Sequence, residues 1–349
     1  MPGLIERQVV APSLQPAWRA SLDESAVSVD WSPSGQWLVA ASASGTVSLF
    51  EAATGHCVQE LSAHRFGATQ VAWHPRDARF ATAGQDGFVR LWEARLNGLV
   101  GELACGADWV EHIAWSENGR LLATAAGRKL NMWTRDGSLV REFPEHSNTI
   151  AAIAWKKGEE ELVSACYGRL QFWTAEGSTS LRSFSWKGSM LSLAWSPDGR
   201  YLCHGNQDAT VHFWIVKTAK ELQMWGYPTK VRELAWDHRS RYLATGGGPS
   251  ITVWDCAGKG PANSKPAILN FHAAPVTQLA YQRSGGCLAS GCGEGKIAVW
   301  KPSKRTEPNA IAELSASITR ISWSPDDSSF AAVAEDGTVA VYRAFHNPE

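Results

Sequence analysis

The chain has 349 residues, 44% of them hydrophobic, and 33 basic against 34 acidic residues leave a formal net charge of −1. That balance, with no basic run longer than a few residues, excludes the electrostatic footprint of a nucleic-acid binder. No apolar run approaches the roughly 18 residues of a membrane-spanning helix, and Met1 to Arg7 lacks the basic-then-apolar order of a secretory leader.

In chain order, Ala17-Trp-Arg-Ala-Ser-Leu22 reads as a lone strand. A short phrase follows (apolar, polar, apolar, small, aromatic) that closes at Trp31, Trp73, Trp115, Trp155, Trp195, Trp236, Tyr281 and Trp323. A second register runs beside it through Phe50, Trp92, Trp133, Trp173, Trp214, Trp254, Trp300 and Tyr342. Steps of 40 to 46 residues mark stacked copies of one small unit. The copy at 68–104 shows the parts. Ala68 to Trp73 alternates as a strand, His74 to Asp77 is turn-forming, and Arg79 to Gly84 is a strand of small and apolar residues. Gln85-Asp-Gly87 is a tight turn, Phe88 to Trp92 alternates again, and Gly98 to Leu103 supplies a fourth strand. The period is two throughout, with no sustained helical pattern. Each unit is therefore a four-stranded antiparallel meander that needs a neighbour on both faces. In the sixth copy, Cys256 to Pro266 is rich in Gly, Pro, Ser and Lys and reads as an exposed, mobile loop. Lys301 to Asn309 lengthens the next copy at the same place. The last copy, Ile318 to Ala344, supplies three strands.

Phrases such as Trp-Ser-Pro-Asp-Gly-Arg (Trp195 to Arg200), Gln-Asp-Gly-Phe-Val-Arg-Leu-Trp (Gln85 to Trp92) and Val-Trp-Asp (Val253 to Asp255) resemble the WD-repeat family of β-propellers, over essentially all of residues 17–343. The resemblance implies an all-β fold, a single ring of four-stranded blades at 17–344, with an N-terminal extension at 1–16 and a tail at 345–349. Three strands at the end and one at the start make a complete blade, which closes the ring and removes exposed sheet edges. The count is then eight blades. The alternative is seven plus a degenerate copy outside the ring, the first copy being weakest, with Phe50 for Trp and Ser44-Gly45 for Asp-Gly.

The same resemblance implies a buried hydrogen-bonded set in each blade, made by a His before the first strand, a Ser or Thr in the second, an Asp in the following turn and the third-strand Trp. Only the second copy matches throughout, with His64, Thr82, Asp86 and Trp92. In the fourth, Tyr167 stands at the Asp place. In the fifth, Trp186 stands at the His place and His204 at the Ser/Thr place. In the sixth, Tyr227 takes the His place. These sets are structural in the family. A hydrolase-like reading of His64, Asp86 and Thr82 fails because Thr82 lies within a strand, with no accessible nucleophile or oxyanion site. No catalytic residue is expected.

Thirteen of the 18 Trp fall in the two registers. Trp18, Trp37, Trp109, Trp186 and Trp225 do not, and Trp18 and Trp37 lie in strand patterns as packing residues. The seven Cys are odd in number and scattered, as reduced thiols in a cytoplasmic protein would be. Cys203 and His204 are adjacent in a strand and point to opposite faces, so they do not share an ion. No metal and no cofactor are expected.

In propellers of this family, partners engage the face formed by the links into each first strand and the turns between second and third strands. Carried over, this puts Phe66, Trp109, Trp186 and Tyr227 on or near that face. The stretch from Trp186 to Arg232 is the densest, adding Lys187, Leu191, Lys230 and Arg232. Aromatics and Arg are the residue types enriched at interface hot spots. Trp186 and Tyr227 either stand exposed there or fold inward to fill the place of a missing His. The expectation is a monomeric, non-catalytic scaffold binding a protein or peptide on this face. Its rivals are a small-ligand or metal-handling propeller using the channel mouth, and an enzyme.

Overall fold

The structure, a computed structural model, describes residues 11–94, 98–106, 109–258, 260–262 and 264–344. The expected extension before residue 11 and the tail after 344 lie outside the described residues. Each aromatic-closed phrase forms the innermost strand of a four-stranded antiparallel sheet, and there are eight such sheets. The first copy makes a full blade from Ala26–Trp31, Trp37–Ser42, Thr46–Glu51 and Cys57–Ser62. The seven-plus-one arrangement therefore falls. In blade 8, Ile318–Trp323, Ser329–Ala334 and Thr338–Arg343 are completed by Pro16–Ser21, with Trp18 opposite Val341 and Ser21 opposite Thr338.

The closing aromatic explains the repeat. At the end of the first strand in five of the blades its ring crosses to the preceding blade, and its N–H donates to backbone there. Trp73 donates to the Asp30 carbonyl at 3.1 Å, Trp155 to Ala114 at 2.8 Å and Trp323 to Ala280 at 2.9 Å. Trp31 donates to Ser322 at 3.0 Å and so ties blade 1 to blade 8. The apolar interior is divided accordingly into eight clusters, most of them spanning two adjacent blades. One of them joins Trp18, Leu22, Val29 and Trp31 to Val333 and Val339. Second strands lie between two neighbours, so small residues fill them. All six residues of Leu121–Ala126 are buried. Trp18 is packed as expected, donating to the Ala52 carbonyl at 2.8 Å.

Two features were not legible in the strand pattern. Leu14 and Pro12 bond to Ile311 at 2.7 and 3.0 Å, so the segment before the closing strand pairs in parallel with the outer edge of blade 7. The link after Asp255 does not stand free throughout. Gly260 and Pro261 are buried, and the Tyr201 hydroxyl of blade 5 donates to the Gly258 carbonyl at 3.2 Å. Gly260, having no side chain, can lie this close to the neighbouring sheet, where an added methyl would come within 3.1 Å of Phe213.

Candidate functional site

The polar sets account for much of the buried polarity. In blade 2, Thr82 lies 2.9 Å from His64 Nε2 and accepts from Trp92 Nε1 at 3.0 Å, while His64 Nδ1 lies 2.9 Å from Asp86. Arg90 adds an ion pair to Asp86 at 2.8 Å. Burial pushes the His64 pKa down against the pull of Asp86. Burial works against ionisation of Asp86 as well, but hydrogen bonds from His64 and Arg90 outweigh it and hold the carboxyl below its ordinary value. Thr82 is fully buried with its hydroxyl engaged on both sides, so the set stabilises the blade and offers nothing to a substrate. Blades 4 and 7 keep the His–Ser–Trp part. His146 lies 2.7 Å from Ser164, and His272 2.7 Å from Ser290.

Where the pattern departs, other side chains take over. In blade 3, Cys105 stands near Thr124, with Sγ at 3.5 Å. In blade 6 the Tyr227 hydroxyl bonds Thr245 at 2.8 Å and accepts from Trp254 at 3.0 Å. It thus occupies the His place from inside. In blade 5, Trp186 folds over His212, with ring centroids 3.7 Å apart, and His204 and His212 stack at 5.0 Å. His212 is bonded to Glu221.

One face of the ring, here called upper, carries the links into the first strands and the turns between second and third strands. Phe66, Trp109 and Trp225 stand on those links, exposed by 63%, 54% and 74%, and Tyr167 on the blade 4 turn is 50% exposed. Every exposed large aromatic among the described residues lies on this face. The exposed aliphatics Val58, Leu99, Val100, Leu139 and Ile268 lie on outer, fourth strands, and Leu181 immediately precedes one. Of the residues singled out in the sequence, Phe66, Trp109, Lys187 and Lys230 are exposed here. Trp186 and Tyr227 turn inward, which breaks up the dense stretch, and Leu191 and Arg232 face the central channel. Trp225 is more exposed than Phe66 or Trp109, and Tyr167 nearly as exposed as Trp109. Tyr167 was detectable from its position at the turn where Asp is usual.

The channel holds a cavity of about 570 Å³ whose polar lining includes Gln70, His112, Arg232, Glu233, Gln278 and Arg320. Burial pushes His112 down to about 4, helped by the charge of Arg320, so its imidazole is neutral at physiological pH. Burial raises the Glu233 carboxyl. At the lower end, Asp30 accepts the backbone N–H groups of Trp31 at 2.9 Å and Trp73 at 2.8 Å, and Arg283 reaches to 4.0 Å from it.

Among the described residues no helix is long and apolar enough to cross a membrane. A family profile described as WD domain, G-beta repeat matches residues 19–51, 55–93, 98–134, 178–214, 220–255, 264–301 and 309–343. The copy it passes over is the fourth, not the weakly patterned first, yet the fourth forms a complete blade from Ile150–Trp155, Leu162–Cys166, Arg169–Trp173 and Arg182–Ser185. No curated protein matches the chain. Among solved structures, the computationally designed Ika8 protein is similar in fold, with a TM-score of 0.80 at 20% identity, over 96% of this chain and 99% of that one. With most of its length matched by the repeat profile and eight blades closed into one ring, the chain belongs to the WD domain, G-beta repeat family.

Proposed function

We propose that this protein is a non-catalytic scaffold that docks a partner protein or peptide on its upper face. One observation carries the reading: the exposed aromatics gather on that face, on links and turns held by the rigid sheets beneath. Large aromatics leave water at little entropic cost when their anchoring is already fixed, which is why they dominate interface energetics. Lys187, Lys230 and Arg232 add positive charge beside them, suited to a partner segment carrying apolar and acidic side chains. The ring binds by preformed shape, because a closed all-β stack has few soft hinges. Its His–Asp and His–Ser pairs are occupied in holding blades together, which supports the absence of a catalytic site. The odd, scattered cysteines support a cytoplasmic setting, and the shortness of the outer edge strands supports a monomer.

The test is affinity capture from native lysate with mass spectrometry, comparing wild type with the double variant Phe66→Ala, Trp109→Ala and with Trp225→Ala. Both groups are exposed, so melting temperatures should stay close to wild type. Specific captured partners should drop by at least about tenfold, as expected for loss of hot-spot aromatics. Undiminished capture by both variants would refute docking through this face.

A further inference from the structure

In seven of the eight blades the residue three places before the closing aromatic (Gln70, His112, Ala152, Ser192, Glu233, Gln278 and Arg320) lines the channel cavity. Their hydrogen bonding is uneven. The Gln70 amide is engaged at both ends, donating to the Ile113 carbonyl at 3.1 Å and accepting the Ile113 N–H at 2.9 Å, so it splices blade 2 to blade 3. Gln278 occupies the equivalent place in blade 7, yet its amide has no hydrogen-bond partner among the described residues. Arg320, in blade 8, has neither hydrogen bond nor ion pair there. Its one counter-charge is Asp30 at a distance, and that carboxylate is already bound by two backbone N–H groups and approached by Arg283. Arg232 stands in the same condition on the same cavity. The neighbouring Glu233 does not neutralise it by a close pair. That carboxyl lies so near Gly246 that a methyl group there would come within 2.4 Å of it.

Water reaches Arg320 along the channel, so the side chain is open to solvent. Protein surrounds it on the other sides, and this loss of hydration lowers its pKa. A guanidinium has five N–H donors in a planar fork and accepts nothing. Neither Arg320 nor Arg232 has an acceptor among the described residues, so both forks face the water of the channel and are free to receive a ligand that accepts their hydrogen bonds. The groups that match this fork are carboxylates and phosphates. The free Gln278 amide supplies a further donor, and the neutral His112 adds no negative charge. The cavity has the size of a site for a small molecule. Arg283 reaching toward Asp30 narrows its lower end, so access is from the upper mouth, beside Leu191, Arg232 and Thr277.

We infer that the central channel is a binding site for a small anion, a carboxylate or phosphate compound, held by Arg320 and Arg232 with the Gln278 amide as a third donor. Arg232 stands at the rim that this site shares with the docking face, whereas Arg320 lies inside the channel and belongs to this site alone, so Arg320→Gln and the Phe66, Trp109 and Trp225 variants test the two separately.

The experiment is titration calorimetry and thermal melting of the full chain with citrate, with inorganic phosphate, and with sodium chloride at matched ionic strength. Citrate, phosphate or both should bind with one-to-one stoichiometry and raise the melting temperature beyond the chloride control. Citrate alone assigns a carboxylate ligand, and phosphate alone a phosphoryl one. Arg320→Gln should weaken that binding about tenfold or more. Its melting temperature without anion should stay close to wild type, because the substitution breaks no hydrogen bond or ion pair of the fold. Should Arg320→Gln fail to fold, Arg232→Gln, at the open mouth, decides by the same loss of binding. The inference is overturned if neither anion stabilises beyond chloride, or if the folded variant binds as wild type does.

Discussion

Tyr227 shows at the residue scale how a blade survives without its usual histidine. Its ring fills the same space and its hydroxyl both meets Thr245 and accepts the Trp254 N–H. Burial pushes the phenol up to about 12, so it remains a neutral donor and acceptor. Tyr227→Phe keeps the packing but strips Trp254 of its acceptor, and we expect a loss of about 1–3 kcal/mol in urea unfolding. A change below a few tenths would mean that water replaces the hydroxyl. Blade 5 has no comparable substitute. Trp186 fills the volume, but its indole N–H, and those of Trp214 and the Nε2 atoms of His204 and His212, are buried without partners. These compensations are why the densest aromatic stretch in the sequence is mostly interior. Spacing located Trp186 and Tyr227 on the upper links, but only packing decided which way each side chain turned.

At the scale of strands and blades, the seams are unequal. Thr69, Thr277 and Thr319 share one position, four before the closing aromatic, and there they look in sequence like surface residues. Instead their hydroxyls donate to the first strand of the next blade, at 2.5, 2.6 and 2.5 Å to Val110, Ile318 and Ala26. Together with the indole bonds they lock blades 7, 8, 1, 2 and 3. The arc through blades 5 to 7 lacks both devices: Trp195 and Trp236 N–H groups and the Tyr281 hydroxyl have no partner. The first strand of blade 6 is also reduced to Leu234–Trp236. Local opening follows the weakest ties. Amide hydrogen exchange should therefore be faster in the first strands of blades 5 to 7 than in those of blades 1 to 3. Equal protection around the ring would show that apolar packing alone sets seam strength.

On the scale of the whole molecule, stability is shared because no blade owns a core. Removing the strand Pro16–Ser21 would bare the edge of Thr338–Arg343 and take Trp18 and Ala20 out of the cluster they share with Trp31 and Phe50. The buried histidines give the ring a common pH response. Burial pushes His146 and His272 down to about 4 and His204 to about 3. In the unfolded chain each takes up a proton near its ordinary value of about 6.5, whereas the folded ring refuses it. Their stabilisation is thus complete above that value and declines as the pH falls from about 6.5 toward 4, by about 1.4 kcal/mol per pH unit for each histidine. Urea midpoints measured from pH 7 to 4.5 should fall, and His272→Gln should flatten the slope by up to one histidine's share. An unchanged slope in that variant would place the acid sensitivity elsewhere.

The sequence by itself determined the architecture. Period two makes strands, a 40 to 46 residue recurrence of closing aromatics makes blades, and a lone strand ahead of a three-strand final copy makes closure. These are local patterns repeated often enough to fix a topology. What the tertiary structure alone decided is the state of each individual side chain on that frame. Tyr227 and Trp186 went inward while Trp225 and Tyr167 stayed out, and Gln70 was spliced while Gln278 and Arg320 were left open to the channel. The reason is that burial and pairing depend on the facing blade, some 40 residues away, and on the ring's axis, where eight distant strands meet.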